Sequence, residues 1–216
     1  MCDILSANGI DVHDGYTVGK LCILWKHGFP SRKTKLLSDK VINIFIIRSL
    51  DKWLVSMYHK PYCLYTEQCC FKCFLKRNQK ISTSKGGPLE MFDIITNKSI
   101  NKVDENKTIF EIRYLKIKSY LRYLHNNSDV VFVSLDYLQN KDNCRAFIHR
   151  LNEKYELGID GNNIIDELEH HVKTQIKGCK EIPYDYIINE EESLLINRFK
   201  NDDLEDWINN LTFEMY

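Results

Sequence analysis

The sequence predicts an α/β fold in which a parallel sheet is flanked by helices. Residues 21–25 (Leu-Cys-Ile-Leu-Trp), 41–47 (Val-Ile-Asn-Ile-Phe-Ile-Ile) and 130–134 (Val-Val-Phe-Val-Ser) are continuous apolar runs of strand length. Such runs mark strands covered on both faces, as in parallel sheets. The second and third runs lead into segments whose apolar residues recur at helical spacing. Strands that alternate with helices join in parallel through crossovers. At 216 residues the chain is predicted to be one domain, residues 1–216, with an irregular Cys- and Lys-rich excursion at about 61–108.

Residues 1–8 read as a short amphipathic helix with Cys2, Ile4 and Leu5 inward, stopped at Gly9. Residues 9–19 read as loop, 21–25 as the first strand, and 29–33 as a turn. Residues 41–47 are the strongest strand signal. Ser49 then caps a helix with Leu50, Trp53, Leu54 and Met57 on one side, ended before Pro61. Residues 109–125 form a helix with Ile112, Leu115, Ile117, Tyr120, Leu121 and Leu124 as an apolar stripe. After the strand at 130–134 come helices at about 141–155, 164–176 and 190–211. Ligands of such sheets sit beyond the carboxyl ends of the strands, which points to Lys26-His27, Arg48 and Ser134-Leu-Asp136-Tyr137.

Charge is balanced in sum but not in place. Residues 1–120 hold 20 Lys and Arg against 11 Asp and Glu, and the remainder 10 against 19. The amino-terminal half therefore favours an anionic ligand, although a solvated basic face would look the same. No apolar run reaches the length of a membrane span, and the first residues lack the basic flank and apolar block of a signal peptide. The expected location is cytoplasmic, with the eight cysteines as thiols.

The residues at the strand ends carry a resemblance. Ile23-Leu-Trp-Lys26-His27-Gly-Phe-Pro30 is followed by Ile44-Phe-Ile-Ile-Arg48 and, eight residues after the arginine, by Ser56-Met-Tyr58-His59. This stretch resembles the sulfotransferase family, which has a P-loop-like α/β fold. Asp136-Tyr137-Leu138 after the third apolar run, and the segment 203–211 with a final Tyr216, are similar to later parts of that family. Residues 21–59 are the specific part, and elsewhere only the order of elements agrees.

The resemblance implies transfer of a sulfuryl group from PAPS (3′-phosphoadenosine 5′-phosphosulfate) to a hydroxyl acceptor, with no metal. Arg48 and Ser56 would hold the 3′-phosphate, His27 would act as general base, and Lys26 would offset charge on the transferring group. The residue chemistry agrees: an arginine fork meets a phosphate with two charge-assisted hydrogen bonds, and imidazole accepts a proton near neutral pH. The competing reading pairs Arg48 with a local carboxylate such as Asp51 and makes Ser56 an ordinary helix residue.

The family's Gly/Ser/Thr-rich phosphosulfate loop has no counterpart, because the chain opens inside what reads as the helix that should follow it. Three explanations stay open: a fragment truncated at the amino terminus, a relative that binds nucleotide without transfer, or a site rebuilt from Lys20, Lys26 or Arg32. Gly15-Tyr-Thr-Val-Gly19-Lys20 is one residue short of a nucleotide-binding P-loop and leads into a strand. The alternatives are thus an inactive interaction module and a small-molecule or nucleotide kinase. The acceptor, whether small molecule, glycan or protein hydroxyl, is not written in the residues, nor is the oligomeric state.

Cys63, Cys69, Cys70 and Cys73 fall within eleven residues, and Cys70-x-x-Cys73 is half a zinc motif. Buried thiols beside Phe71 and Phe74, or a disulfide, are the alternatives. Lys72, Lys76, Arg77, Lys80 and Lys85 with Phe71 and Phe74 raise a nucleic-acid reading, but no nucleic-acid module accompanies them and the net charge is zero.

Overall fold

A computed structural model describes residues 2–10, 42–59, 64–65, 70–76, 78–81, 107–124, 129–165, 182–183 and 185–216. Two parallel strands form its centre. β1 (Asn43–Ile47) pairs with β5 (Val130–Ser134), Asn43 opposite Val130 and Ile47 opposite Ser134. Between them come α2 (Leu50–His59), β2 (Leu64–Tyr65), α3 (Phe71–Lys76), β3 (Asn78–Ile81), β4 (Lys107–Thr108) and α4 (Ile109–Leu124). α1 (Cys2–Ala7) precedes them. α5 (Leu135–Leu138), α6 (Lys141–Tyr155), α7 (Glu190–Phe199), α8 (Asp202–Asn210) and β6 (Phe213–Met215) follow.

The α/β class stands as expected, but the sheet is mixed. β6 runs antiparallel to β5, Val133 opposite Phe213 and Val131 opposite Met215. Three residues are too few to show a period, which is why this strand escapes the pattern. Phe213 and Met215 pack into the core on one side, as alternate strand positions must.

β5 is buried throughout because its two faces serve two cores. Val130 and Phe132 join Phe45, Ile47, Ile117 and Tyr120 under α4 and α8. Val131 and Val133 join Leu138, Cys144, Phe147, Ile148 and Leu151 under α6, with Leu5 of α1 at the margin. Phe45 stacks between Tyr120 at 4.4 Å and Phe132 at 5.2 Å. β1 is less enclosed than its sequence predicts. Ile46 is 38% exposed, and Ile44 is only partly buried against the core that Val131 and Val133 join.

Local signals explain most helix ends. α1 stops at Gly9, whose φ of 81° is a left-handed conformation that costs glycine nothing. Thr108 and Glu111 exchange hydrogen bonds across the start of α4, a capping box. Asn140 caps α6. The predicted single helix at 190–211 is two helices, because Asn201 caps a new start by accepting from the Leu204 N–H at 3.0 Å.

The excursion at 61–108 contains structure. α3 buries Phe71, Phe74 and Leu75 against Leu54, Val55 and Tyr58 of α2 and Ile196 of α7. β2, β3 and β4 form a second, antiparallel sheet in that order. The predicted first strand at 21–25 and nearly all of the predicted helix at 164–176 lie outside the described residues. Among the described residues, no helix is long and apolar enough to cross a membrane.

Candidate functional site

Parallel pairing brings the carboxyl ends of β1 and β5 to one edge, so Arg48 and Ser49 lie beside the turn that begins α5. Ser134 opens that turn, its side chain accepting from the Tyr137 N–H. Asp136 then projects toward α2, where it accepts from the Ser49 backbone N–H at 2.9 Å and from Lys52 Nζ at 2.6 Å. Burial pushes the Asp136 pKa up, but the hydrogen bonds from Lys52 and Ser49 outweigh it and hold the carboxyl below its ordinary value.

A second carboxylate reaches this edge from α8. Arg113 of α4 meets Glu205 with two hydrogen bonds, Nε to Oε1 at 2.7 Å and Nη2 to Oε2 at 2.9 Å. Both side chains are enclosed, 4% and 5% exposed. The same Nη2 donates to the Arg48 carbonyl at 2.8 Å, and the guanidinium carbon lies 5.0 Å from the centre of the Trp53 ring. Arg113 therefore ties the β1–α2 turn to α8 while its charge stays paired. Nearby Asp51 has a raised pKa, from burial first and then from Glu205, with Lys200 and Arg113 opposing.

Of the residues singled out from sequence, Arg48 stands in this turn. Its Nε is buried and has no hydrogen-bond partner among the described residues, and no described carboxylate pairs with it. The competing pairing with Asp51 is absent from the described contacts. Ser56 is half-buried on α2, one turn beyond Lys52. Six residues separate it from Leu50, about 9 Å along the helix axis, and no hydrogen bond joins it to Arg48. Lys26 and His27 lie outside the described residues, as do Lys20, Arg32 and the segment 15–20. His59 is buried, its ring edge-on to Tyr58 at 5.8 Å.

Arg113 and Glu205 are the neighbours of this edge that sequence reading missed. One signal was available for Arg113: it stands four residues after Ile109 and four before Ile117, both buried, so it shares their face of α4. A charge on an apolar face requires a partner.

The cysteine expectation needs correction. Cys70 and Cys73 are bonded to each other, not thiols, and while bridged they cannot serve as zinc ligands. Among the described residues no three His, Cys, Asp or Glu side chains cluster as metal ligands, and Cys63 and Cys69 lie outside them. Phe71 and Phe74, at 1% and 0% exposure, are core residues and cannot stack on bases. Lys72 is paired with Glu191.

The edge thus holds the buried Arg48 Nε, which has no hydrogen-bond partner among the described residues, together with Asp136, paired with Lys52 and the Ser49 N–H, and Glu205, paired with Arg113. No protein-family model, no curated protein and no solved structure matches the chain.

Proposed function

We propose that the chain is a sulfotransferase-like protein that binds the 3′-phosphate of PAPS at the carboxyl edge of β1. The observation that carries the reading is the Arg48 Nε. A buried donor without an acceptor costs about 1–3 kcal/mol, more when charged, and a phosphate oxygen would remove that cost. Ser56 on the following helix is the second phosphate contact in this reading, and the excess of basic residues over 1–120 draws the anion in. His27 and Lys26 then supply the general base and the charge stabiliser for transfer to a hydroxyl acceptor. Little covalent work falls to the protein in such a transfer, so positioning is most of the catalysis.

Calorimetry with PAP, the desulfated product, tests this. Binding at micromolar strength is expected, weakened about 10- to 100-fold in Arg48→Ala, as loss of a charge-assisted hydrogen bond requires. An absence of binding heat with PAP refutes the reading, and binding of ATP in preference to PAP replaces it with a kinase.

A second reading is a catalytically silent relative. It is favoured by Asp136, which already neutralises Lys52 and takes the Ser49 N–H at the start of α2, leaving less positive potential for a second anionic group. This reading predicts PAP binding without sulfuryl transfer from PAPS to any hydroxyl acceptor, and no change on His27→Ala.

A further inference from the structure

Cys70 and Cys73 are bonded to each other at the start of α3, with Phe71 and Lys72 between them. Cys73 is exposed and Cys70 half-buried. The Cys70 sulfur also accepts a hydrogen bond from the Cys73 backbone N–H at 3.1 Å. We infer that Cys70 and Cys73 form a reversible dithiol–disulfide site that exchanges with small thiols of the glutathione class.

The fold does not depend on this bond. α3 is anchored by Phe71, Phe74 and Leu75, none more than 1% exposed. The Phe71 ring meets Tyr58 edge-on at 5.3 Å and Tyr186 at 5.7 Å. A bridge that closes so short a loop removes little entropy from the unfolded chain, so it adds less to stability than a long-range one. Opening it leaves the helix packed as before.

The two sulfurs are also unequal in the way exchange requires. An incoming thiolate reaches the exposed Cys73 sulfur first. It forms a mixed disulfide there, the Cys70–Cys73 bond breaks, and its electron pair leaves on the Cys70 sulfur. The Cys73 N–H stabilises that leaving thiolate, and a better leaving group departs faster. A second small thiol attacks the mixed disulfide and releases the small-molecule disulfide. The protons of the two entering thiols end on Cys70 and Cys73. One protein disulfide and two small thiols thus become one protein dithiol and one small disulfide, and the reverse sequence oxidises the site.

The full chain is equilibrated in glutathione buffers from reducing to oxidising and quenched in acid. Free thiols are blocked with light N-ethylmaleimide, and those released by subsequent reduction with the heavy form. Cleavage after Glu67 and Glu90 yields one peptide holding Cys69, Cys70 and Cys73, and fragmentation assigns each label. Cys70 and Cys73 are expected to change from light to heavy together in one transition that Cys69 does not follow. In Cys70→Ser, the Cys73 thiolate is expected to attack oxidised glutathione, keeping one glutathionyl group and releasing reduced glutathione, at least about tenfold faster than Cys70 does in Cys73→Ser, because Cys73 is the more exposed. The inference is overturned if both residues stay light in every buffer or if Cys69 replaces either partner. It is equally overturned if the bridge survives excess glutathione in protein that circular dichroism shows to be folded.

Discussion

Replacing Glu205 with glutamine removes one charge from the most enclosed ion pair among the described residues and preserves its shape. Arg113 remains 4% exposed in the wild type's geometry, now facing an amide that can accept only one of its two hydrogen bonds. Breaking a buried pair by removing one partner costs about 3–5 kcal/mol. The Arg48 carbonyl and the Trp53 ring still face the guanidinium, which places Glu205→Gln at the lower end, about 3 kcal/mol. For a chain of this length each kcal/mol moves Tm by about 2–4 °C, so the midpoint should fall by about 6–12 °C.

Arg113→Met combined with Glu205→Leu removes both charges and should recover most of that loss, since apolar replacements of buried pairs are often neutral or stabilising. Thermal and urea melts of the wild type, Glu205→Gln, Arg113→Met, Glu205→Leu and the Arg113→Met/Glu205→Leu pair measure both quantities. Asp51 gives an independent readout: Glu205 helps raise its pKa, so Glu205→Gln should lower it in a carboxyl NMR titration. A loss below about 1 kcal/mol for Glu205→Gln, or a double variant as unstable as its two components summed, refutes the enclosed pair.

Three further outcomes are expected. The Asp136 carboxyl, held below its ordinary value of 3.8, stabilises the fold above that pH and loses its contribution as pH falls through the folded-state pKa. Urea midpoints of wild type and Asp136→Asn should therefore differ by a constant amount above about pH 5, about 1 kcal/mol for a partly exposed pair, and converge below pH 4; divergence on acidification contradicts the contact. Asn189→Ala removes the capping box of α7, in which Glu192 and Asn189 exchange hydrogen bonds, and should cost about 1 kcal/mol in chemical denaturation. Phe74→Ala empties a fully buried position between α2 and α3 and should cost about 3–5 kcal/mol by the same measurement, with a loss under 1 kcal/mol excluding that packing.

Part of the candidate site was legible because it obeys a rule about strand ends. Arg48 and Asp136 follow continuous apolar runs, and parallel pairing puts such positions on one edge. The Ser49–Asp136 contact was not legible, because 87 residues separate the two and only the register of β1 on β5 decides which side chains face each other. Glu205 was hidden for another reason. It sits in a segment read as one long helix, and the start at Asn201, which turns α8 back over the sheet, was not separated from α7. That break carries a recognisable signal in Asn201 followed by Asp202 and Asp203, an N-cap with an acidic first turn.

The sequence by itself determined the α/β class, the two central strands, and helices α2, α4 and α6. Those features follow from apolar period and capping residues, which act within a few positions along the chain. The tertiary structure alone decided the antiparallel return of β6, the enclosure of Arg113 by Glu205 and Trp53, and the placing of Asp136 on the start of α2. Each of these depends on which distant surfaces meet when the cores on the two faces of β5 close, and local pattern carries no information about that meeting.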